Sequence, residues 1–195
     1  MLHRLPSSAL LIASRHAAVP GAGRRTPVSA RTRQWLTAPG SLTARLRQHG
    51  TVQVRVLRQG REPLWPQEQM ALASRFGHVR EVILMLNGQP AVWARSVTSA
   101  QGLKGPWGAL KGLGTRPLAE LLFEHRGVRR DPLWSQRLTR HGREHTHLLR
   151  SWKLASSEPG PAWVRRSVFW HKGQPLQVME SFAPWVLALP ATHSP

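Results

Sequence analysis

Hydrophobic and polar residues alternate along several short stretches of this chain. Residues 51–57 read TVQVRVL, with an apolar side chain at every second position from Val52. Such alternation predicts a half-buried β-strand. Strands are also predicted at residues 78–86 and 91–98, and the Asn87-Gly88 pair between them is the strongest short-range signal for a β-hairpin. A second hairpin is predicted from residues 163–170 and 176–182 around Lys172-Gly173.

The remaining pattern predicts short helices between these strands. Ser41 has the character of a helix N-cap, with Gly50 as the stop. A helix is also expected within residues 66–76, and another from Thr115, as its cap, through Phe123. We expect a flap-like loop in the glycine-rich residues 102–114, and helix plus loop in residues 125–160. Because hairpins rather than long crossovers connect the strands, the sequence predicts an α+β fold with a single antiparallel sheet and helices packed around it.

The length of 195 residues fits one domain with or without a tail. Residues 1–30 are basic, free of acids and interrupted by prolines and glycines, so we expect a disordered extension or an organellar transit peptide there. Residues 31–190 form the predicted folded domain. The chain has no cysteine, which excludes disulfides, thiolate catalysis and zinc-finger or iron–sulfur sites. No apolar run approaches the length of a transmembrane helix.

The formal net charge of +19 points to an anionic partner, which could be nucleic acid, an anionic surface or a small polyanion. No recognised nucleic-acid-binding module is present, and we expect no nucleic-acid partner. His141 and His145 have helical spacing, but the segment lacks the carboxylate of an HExxH pattern, so no metal site is expected.

Two arginines in the first hairpin are candidates for binding an anion. With a two-residue loop, Arg80 falls opposite Arg95 on the apolar face of the strands. Unpaired guanidinium groups are costly on such a face, so an anion should lie beside them. A ligand carboxylate would match the guanidinium fork. The alternatives are a structural carboxylate, such as Glu81 or Glu180, and simple exposure of the hairpin end.

Glu180 is a carboxylate on the apolar face of the second hairpin, where an unpaired acid is seldom fully buried. With a two-residue loop at Lys172-Gly173, position 180 falls opposite Arg165, which predicts a cross-strand ion pair. Alternatively, Glu180 and Arg80 line one pocket.

Several segments in order along residues 33–185 together resemble the chorismate lyase family. They are WL (35–36), GSLT (40–43), VREV (79–82), ARSV (94–97), LGTRPL (113–118), WVRRS (163–167) and ESF (180–182). The resemblance implies an antiparallel sheet, helices around it, and a small-molecule site enclosed beneath flap-like segments.

The resemblance also implies an activity and site residues. It implies conversion of chorismate to 4-hydroxybenzoate and pyruvate without a cofactor, at the start of ubiquinone biosynthesis, in a cytoplasmic enzyme that we expect to be a monomer. Arg80 matches the arginine that binds the aromatic carboxylate, and Glu180 the carboxylate beside the ring hydroxyl. Arg95 matches a second arginine near the site, and Leu42 and Leu118 match ligand-contacting positions. The alternative function is a non-catalytic effector-binding domain of the same fold.

Overall fold

The computed structural model describes residues 28–124, 127–153 and 159–190, and the predicted extension over residues 1–30 lies outside them except for its last three residues. Within the described residues the strands form one antiparallel sheet, with spatial order β1-β2-β3-β7-β6-β4 and β5 also paired with β6. The α+β fold with a single antiparallel sheet is therefore confirmed. The strands are β1 (Val52–Pro63), β2 (Phe76–Leu86), β3 (Gln89–Thr98), β4 (Arg129–Arg130), β5 (Trp134–Arg137), β6 (Trp163–His171) and β7 (Gln174–Phe182).

Both predicted hairpins form with two-residue loops. Asn87 and Gly88 have φ of 50° and 79°, and Lys172 and Gly173 have φ of 47° and 73°. Positive φ at both loop positions is the type I′ geometry that follows the twist of the paired strands. The β6–β7 register puts Arg165 opposite Glu180, as predicted.

The register of the first hairpin differs from the prediction. Leu86 pairs with Gln89 as a two-residue loop requires, but a bulge then shifts the pairing so that Leu84 faces Val92. Ala91 is the extra residue, and its carbonyl accepts a hydrogen bond from the Ala183 amide at 2.8 Å. Because of this shift, Arg80 pairs with Ser96 and Arg95 pairs with Glu81. The predicted Arg80–Arg95 pairing is wrong.

Helices cover both faces of the sheet. They are α1 (Ala30–Thr37), α2 (Leu42–Arg47), α3 (Pro66–Leu72), α4 (Ala100–Lys104), α5 (Leu118–Glu124) and α6 (Arg143–Lys153). Ser41 caps α2 as predicted, with its hydroxyl accepting from the Ala44 amide at 3.1 Å. None of the helices in the described ranges has the length and apolar character needed to cross a membrane.

The glycine-rich segment is folded rather than a loop. It contains α4 and a 3₁₀ helix over Gly108–Gly112, and Trp107, Leu110 and Leu113 are buried there against Leu176 and Val178 of β7. This burial overrides the low helix propensity of the glycines. The predicted helix also begins later, at Leu118 rather than behind Thr115, because Thr115 and Arg116 belong to a turn closed by the Arg116 amide and the Leu113 carbonyl.

Residues 127–153 contain β4, β5 and α6, so the predicted mixture of helix and loop omitted two strands. These strands have two and four residues, too short for an alternating pattern. Side-chain contacts attach α6 to the sheet: His147 contacts Glu81 at 2.9 Å and Glu144 accepts from Arg166 at 2.5 Å.

Candidate active site

A cavity lies on one face of the sheet, between the strands and the helices α2 and α5. Its floor is formed by side chains of β2, β3, β7 and β6, and its roof includes Leu42, Leu118 and Leu122. The cavity volume, counted as space for the centres of water molecules, is about 50 Å³, several times the roughly 10–15 Å³ that one water needs. The walls are mostly apolar, with charged groups on Arg80, Arg130, Arg165 and Glu180.

Arg80 is a buried cation without a carboxylate partner among the described residues. Its side chain comes from β2, the residue is 2% exposed, and one terminal nitrogen donates to the carbonyls of Gly114 and Arg116 at 2.8 and 3.0 Å. Its Nε is buried without a hydrogen-bond partner. Desolvation lowers the pKa of Arg80 to about 10, so the group is still protonated at neutral pH. Arg80 is therefore neither exposed nor paired with a structural carboxylate among the described residues, which were the two alternatives to binding a ligand.

The turn after the 3₁₀ helix supplies the two carbonyls that hold Arg80. Gly114 has a φ of 52°, a left-handed conformation that glycine adopts at little cost. Both carbonyls can therefore point at the same guanidinium, which fixes the direction in which Arg80 enters the cavity.

Glu180 also lines the cavity and is paired with Arg165. The Nε of Arg165 donates to Oε2 of Glu180 at 2.6 Å, and a terminal nitrogen of the same arginine donates to the carbonyls of Trp35 and Ala38. The cross-strand ion pair is confirmed, and the structure also brings Glu180 and Arg80 to one cavity. Because Arg165 is 1% exposed and held by α1, it fixes the carboxylate of Glu180 in place.

Leu42 and Leu118 both line the cavity, on the side away from the sheet. Leu42 is the first residue of α2, directly behind its Ser41 cap. Leu118 is the first residue of α5, directly after Pro117. All five predicted site residues, including Arg95, are among the residues that line this cavity.

Arg95 does not present its guanidinium to this cavity. It lies on β3 between the lining residues Ala94 and Ser96, and alternate side chains of a strand point to opposite faces. Its nitrogens donate to Glu68 at 2.8 and 2.9 Å and to Glu81 at 2.5 Å. Arg95 is itself among the lining residues, but the bulge at Ala91 turns its guanidinium to the other face. The expectation that this guanidinium contacts the ligand is therefore corrected.

The partners of Arg95 form a buried ionic cluster. Its guanidinium lies over the Trp65 ring at 4.1 Å, and His147 contacts Glu81 from α6. Burial would lower the pKa of Arg95, but Glu68 and Glu81 raise it. Burial would likewise raise the pKa of Glu81, but His147 and Arg95 hold it below its ordinary value. Arg95 and Glu81 therefore stay ionised, and the contacts of the cluster join α3 and α6 to the sheet.

Arg130 lines the cavity and was not singled out from the sequence. It comes from the two-residue strand β4, and its terminal nitrogens donate to Ser167 Oγ at 3.1 Å and to the Gly40 carbonyl at 3.4 Å. The sequence offered no signal, because Arg130 lies in a basic segment without periodicity.

Among the described residues, no three His, Asp or Glu side chains are grouped as metal ligands would be. The charged groups at the cavity are instead suited to binding a small carboxylic acid and accepting a hydrogen bond from its hydroxyl group.

The α+β fold is shared with solved structures of low sequence identity. PhnF from Mycobacterium smegmatis matches with a TM-score of 0.53 at 14% identity, over 80% of this chain and 69% of that one. The C-terminal domain of the histidine utilization repressor from Pseudomonas syringae pv. tomato matches with a TM-score of 0.51 at 13% identity, over 74% and 100%.

The chain belongs to the chorismate lyase family. The family model "Chorismate lyase" matches residues 24–188. A probable chorismate pyruvate-lyase from Azoarcus sp. (strain BH72) is 42% identical over 165 residues, covering 82% of this chain and 87% of that protein. A probable chorismate pyruvate-lyase from Albidiferax ferrireducens is 42% identical over 164 residues, covering 78% and 83%. These relatives do not favour the alternative of a non-catalytic effector-binding domain.

Proposed function

We propose that this protein converts chorismate to 4-hydroxybenzoate and pyruvate as a cofactor-independent lyase. The observation that carries the proposal is the guanidinium of Arg80, which is buried beside a partly open cavity and has no carboxylate partner among the described residues. A buried charge of this kind is costly unless an anion accompanies it, and the ring carboxylate of chorismate has the matching shape. Membership of the family supports the same reaction.

The reaction needs orientation and charge stabilisation more than added chemical groups. The ether bond between the ring carbon and the enolpyruvyl oxygen breaks, and its electron pair stays on the oxygen. The ring carbon that carries the hydroxyl loses its hydrogen, which makes the ring aromatic. The enolpyruvyl unit gains a proton and becomes pyruvate. A preorganised cavity favours such a step, because its charged groups are already in place when charge develops on the substrate.

Each site residue has one role in this proposal. Arg80 binds the ring carboxylate, held at its angle by the Gly114 and Arg116 carbonyls. Glu180 accepts a hydrogen bond from the ring hydroxyl, and Arg165 keeps that carboxylate oriented. Leu42 and Leu118 hold the ring between apolar surfaces.

The same proposal includes the setting of the enzyme. We propose that it is a cytoplasmic monomer and that its product 4-hydroxybenzoate enters ubiquinone biosynthesis. These statements follow from the family and are tested by fractionation, by sedimentation and by the quinone content of a strain lacking the gene.

The direct test is to mix the purified protein with chorismate and measure pyruvate and 4-hydroxybenzoate. We expect both products in equal amounts. Arg80→Ala should reduce turnover by about two or more orders of magnitude, since charged hydrogen bonds in a closed site are strong. Arg55→Ala is the matched control, because Arg55 lies on β1 and is exposed. Near-normal turnover in Arg80→Ala would remove this arginine from the mechanism, and binding of chorismate without pyruvate release would favour an effector-binding domain.

A further inference from the structure

Arg130 differs from the other arginines at the edge of the sheet. Its neighbour Arg129 is 68% exposed and pairs with Asp131, as a surface arginine does. Arg130 instead points toward the cavity, lies over the Phe169 ring at 5.0 Å, and has an Nε that is buried without a hydrogen-bond partner. Among the described residues, no carboxylate forms an ion pair with it.

The strand order puts Arg130 opposite Arg80 across the cavity. Glu180 lies on β7, in the middle of the path β2-β3-β7-β6-β4. Arg80 on β2 is two strands away on one side, and Arg130 on β4 is two strands away on the other. Neighbouring strands lie about 4.8 Å apart, so each arginine starts roughly 10 Å from the strand of Glu180. All three side chains line the same cavity.

The charges at the Arg130 end of the cavity are not balanced by protein groups. Burial lowers the pKa of Arg130, the charge of Glu180 opposes this, and the charge of Arg165 adds to it. Glu180 is therefore shared by two arginines, Arg165 at hydrogen-bond distance and Arg130 farther away. One positive charge remains at this end, as another does at Arg80, so the cavity is suited to a ligand with two carboxylates.

We propose that Arg130 binds the carboxylate of the three-carbon unit that leaves as pyruvate, while Arg80 binds the ring carboxylate. This inference rests on the proposed function, because it assigns the second carboxylate of the same substrate. Arg130 stays protonated throughout and transfers no proton. It selects ring acids that carry a second acidic arm over those that carry one carboxylate.

The test compares substrate and product binding in Arg130→Gln and Arg130→Lys. Chorismate has both carboxylates and 4-hydroxybenzoate has one. We therefore expect the KM for chorismate to rise about 10- to 100-fold in Arg130→Gln, the range for losing a hydrogen bond to a charged group. The inhibition constant of 4-hydroxybenzoate should change by less than about threefold. Arg130→Lys, which keeps the charge and loses the fork, should fall in between.

Arg129→Gln is the matched control and should leave both constants unchanged. A parallel rise of both constants in Arg130→Gln would mean a general disturbance of the cavity and would overturn the inference, as would an unchanged KM. Should Arg130→Gln fail to fold, Arg130→Lys carries the same comparison. Failure of the proposed function is a separate result, because the wild-type protein would then release no pyruvate.

Discussion

At the scale of single residues, the buried charge of Arg80 costs stability, and binding of an anion would relieve that cost. Its guanidinium is buried, its pKa is lowered to about 10 by desolvation, and only backbone carbonyls contact it. Burial of a charge without a counter-charge destabilises a fold, and positions of this kind are kept because function needs them. Binding should therefore gain from an arginine that weakens the unoccupied protein.

We expect Arg80→Met to abolish turnover. The same substitution should raise the free energy of unfolding by about 1 kcal/mol. The lost hydrogen bonds to two carbonyls oppose the relief of the buried charge, which keeps the gain small. Urea denaturation of wild type, Arg80→Met and the exposed control Arg55→Met measures it. A loss above about 2 kcal/mol would mean that the carbonyl contacts outweigh the desolvation of the charge.

At the scale of elements, Arg95 holds α3 against the sheet rather than serving the cavity. Glu68 on α3 accepts both from Arg95 and, at 2.8 Å, from the Trp65 amide at the start of the same helix. One carboxylate therefore caps the helix and attaches it to β3. Removing one partner of such a buried pair leaves the other charge unpaired, which is strongly destabilising.

Arg95→Met should lower the free energy of unfolding by about 3–5 kcal/mol, while the folded protein still binds 4-hydroxybenzoate with wild-type affinity. Chemical denaturation and titration of the product, both at low temperature, measure the two effects. The double variant Arg95→Met/Glu68→Gln should recover part of the stability, because it removes one of the unpaired charges. A selective loss of affinity with unchanged stability would assign Arg95 to the site after all.

The strands that could be predicted from the sequence have long alternating patterns, and the loops that connect them contain clear turn residues. Both hairpins and the Arg165–Glu180 pair follow from such local signals. The bulge at Ala91 could not be predicted, because the hydrogen bond that fixes it comes from Ala183, far along the chain. Arg95 was assigned to the wrong face for that reason, although family resemblance had correctly brought Arg80 and Glu180 together.

The helices in the glycine-rich segment could not be predicted from local sequence either. Their stability comes from Trp107, which is fully buried and donates from its indole nitrogen to the Gln174 carbonyl at 3.0 Å. Strand β4 was missed because two residues carry no period. The site residue on it, Arg130, is recognisable only after the sheet has brought it to the cavity.

At the scale of the whole molecule, charge is arranged differently inside and outside. Arginines at positions 55, 58 and 61 lie along β1, the strand at one end of the sheet path. Charged side chains on an outer strand oppose pairing with another chain. Three of the nine acidic residues, Glu68, Glu81 and Glu180, instead form interior ion pairs that fix particular arginines.

The cavity predicts slow release of product. Leu42 and Leu118 line the cavity from α2 and α5. Under the proposed function these helices must separate before 4-hydroxybenzoate leaves, and lid opening limits turnover in many enzymes. We expect progress curves to slow as product accumulates and added 4-hydroxybenzoate to inhibit competitively. Leu118→Ala should weaken this inhibition. Kinetics unaffected by added product would contradict the prediction.

The extra residue at Ala91 limits how the length of the β2–β3 hairpin can change. Every side chain of β3 beyond it points to the face that the bulge dictates, because one residue more or less reverses the faces of a strand. Deleting Ala91 would turn Arg95 toward the cavity side of the sheet and Ser96 away from it. Glu68 and Glu81 would then both lose the arginine that pairs with them. The hairpin therefore cannot gain or lose a residue in β3 without moving the guanidinium of Arg95 from its carboxylate partners to the cavity face.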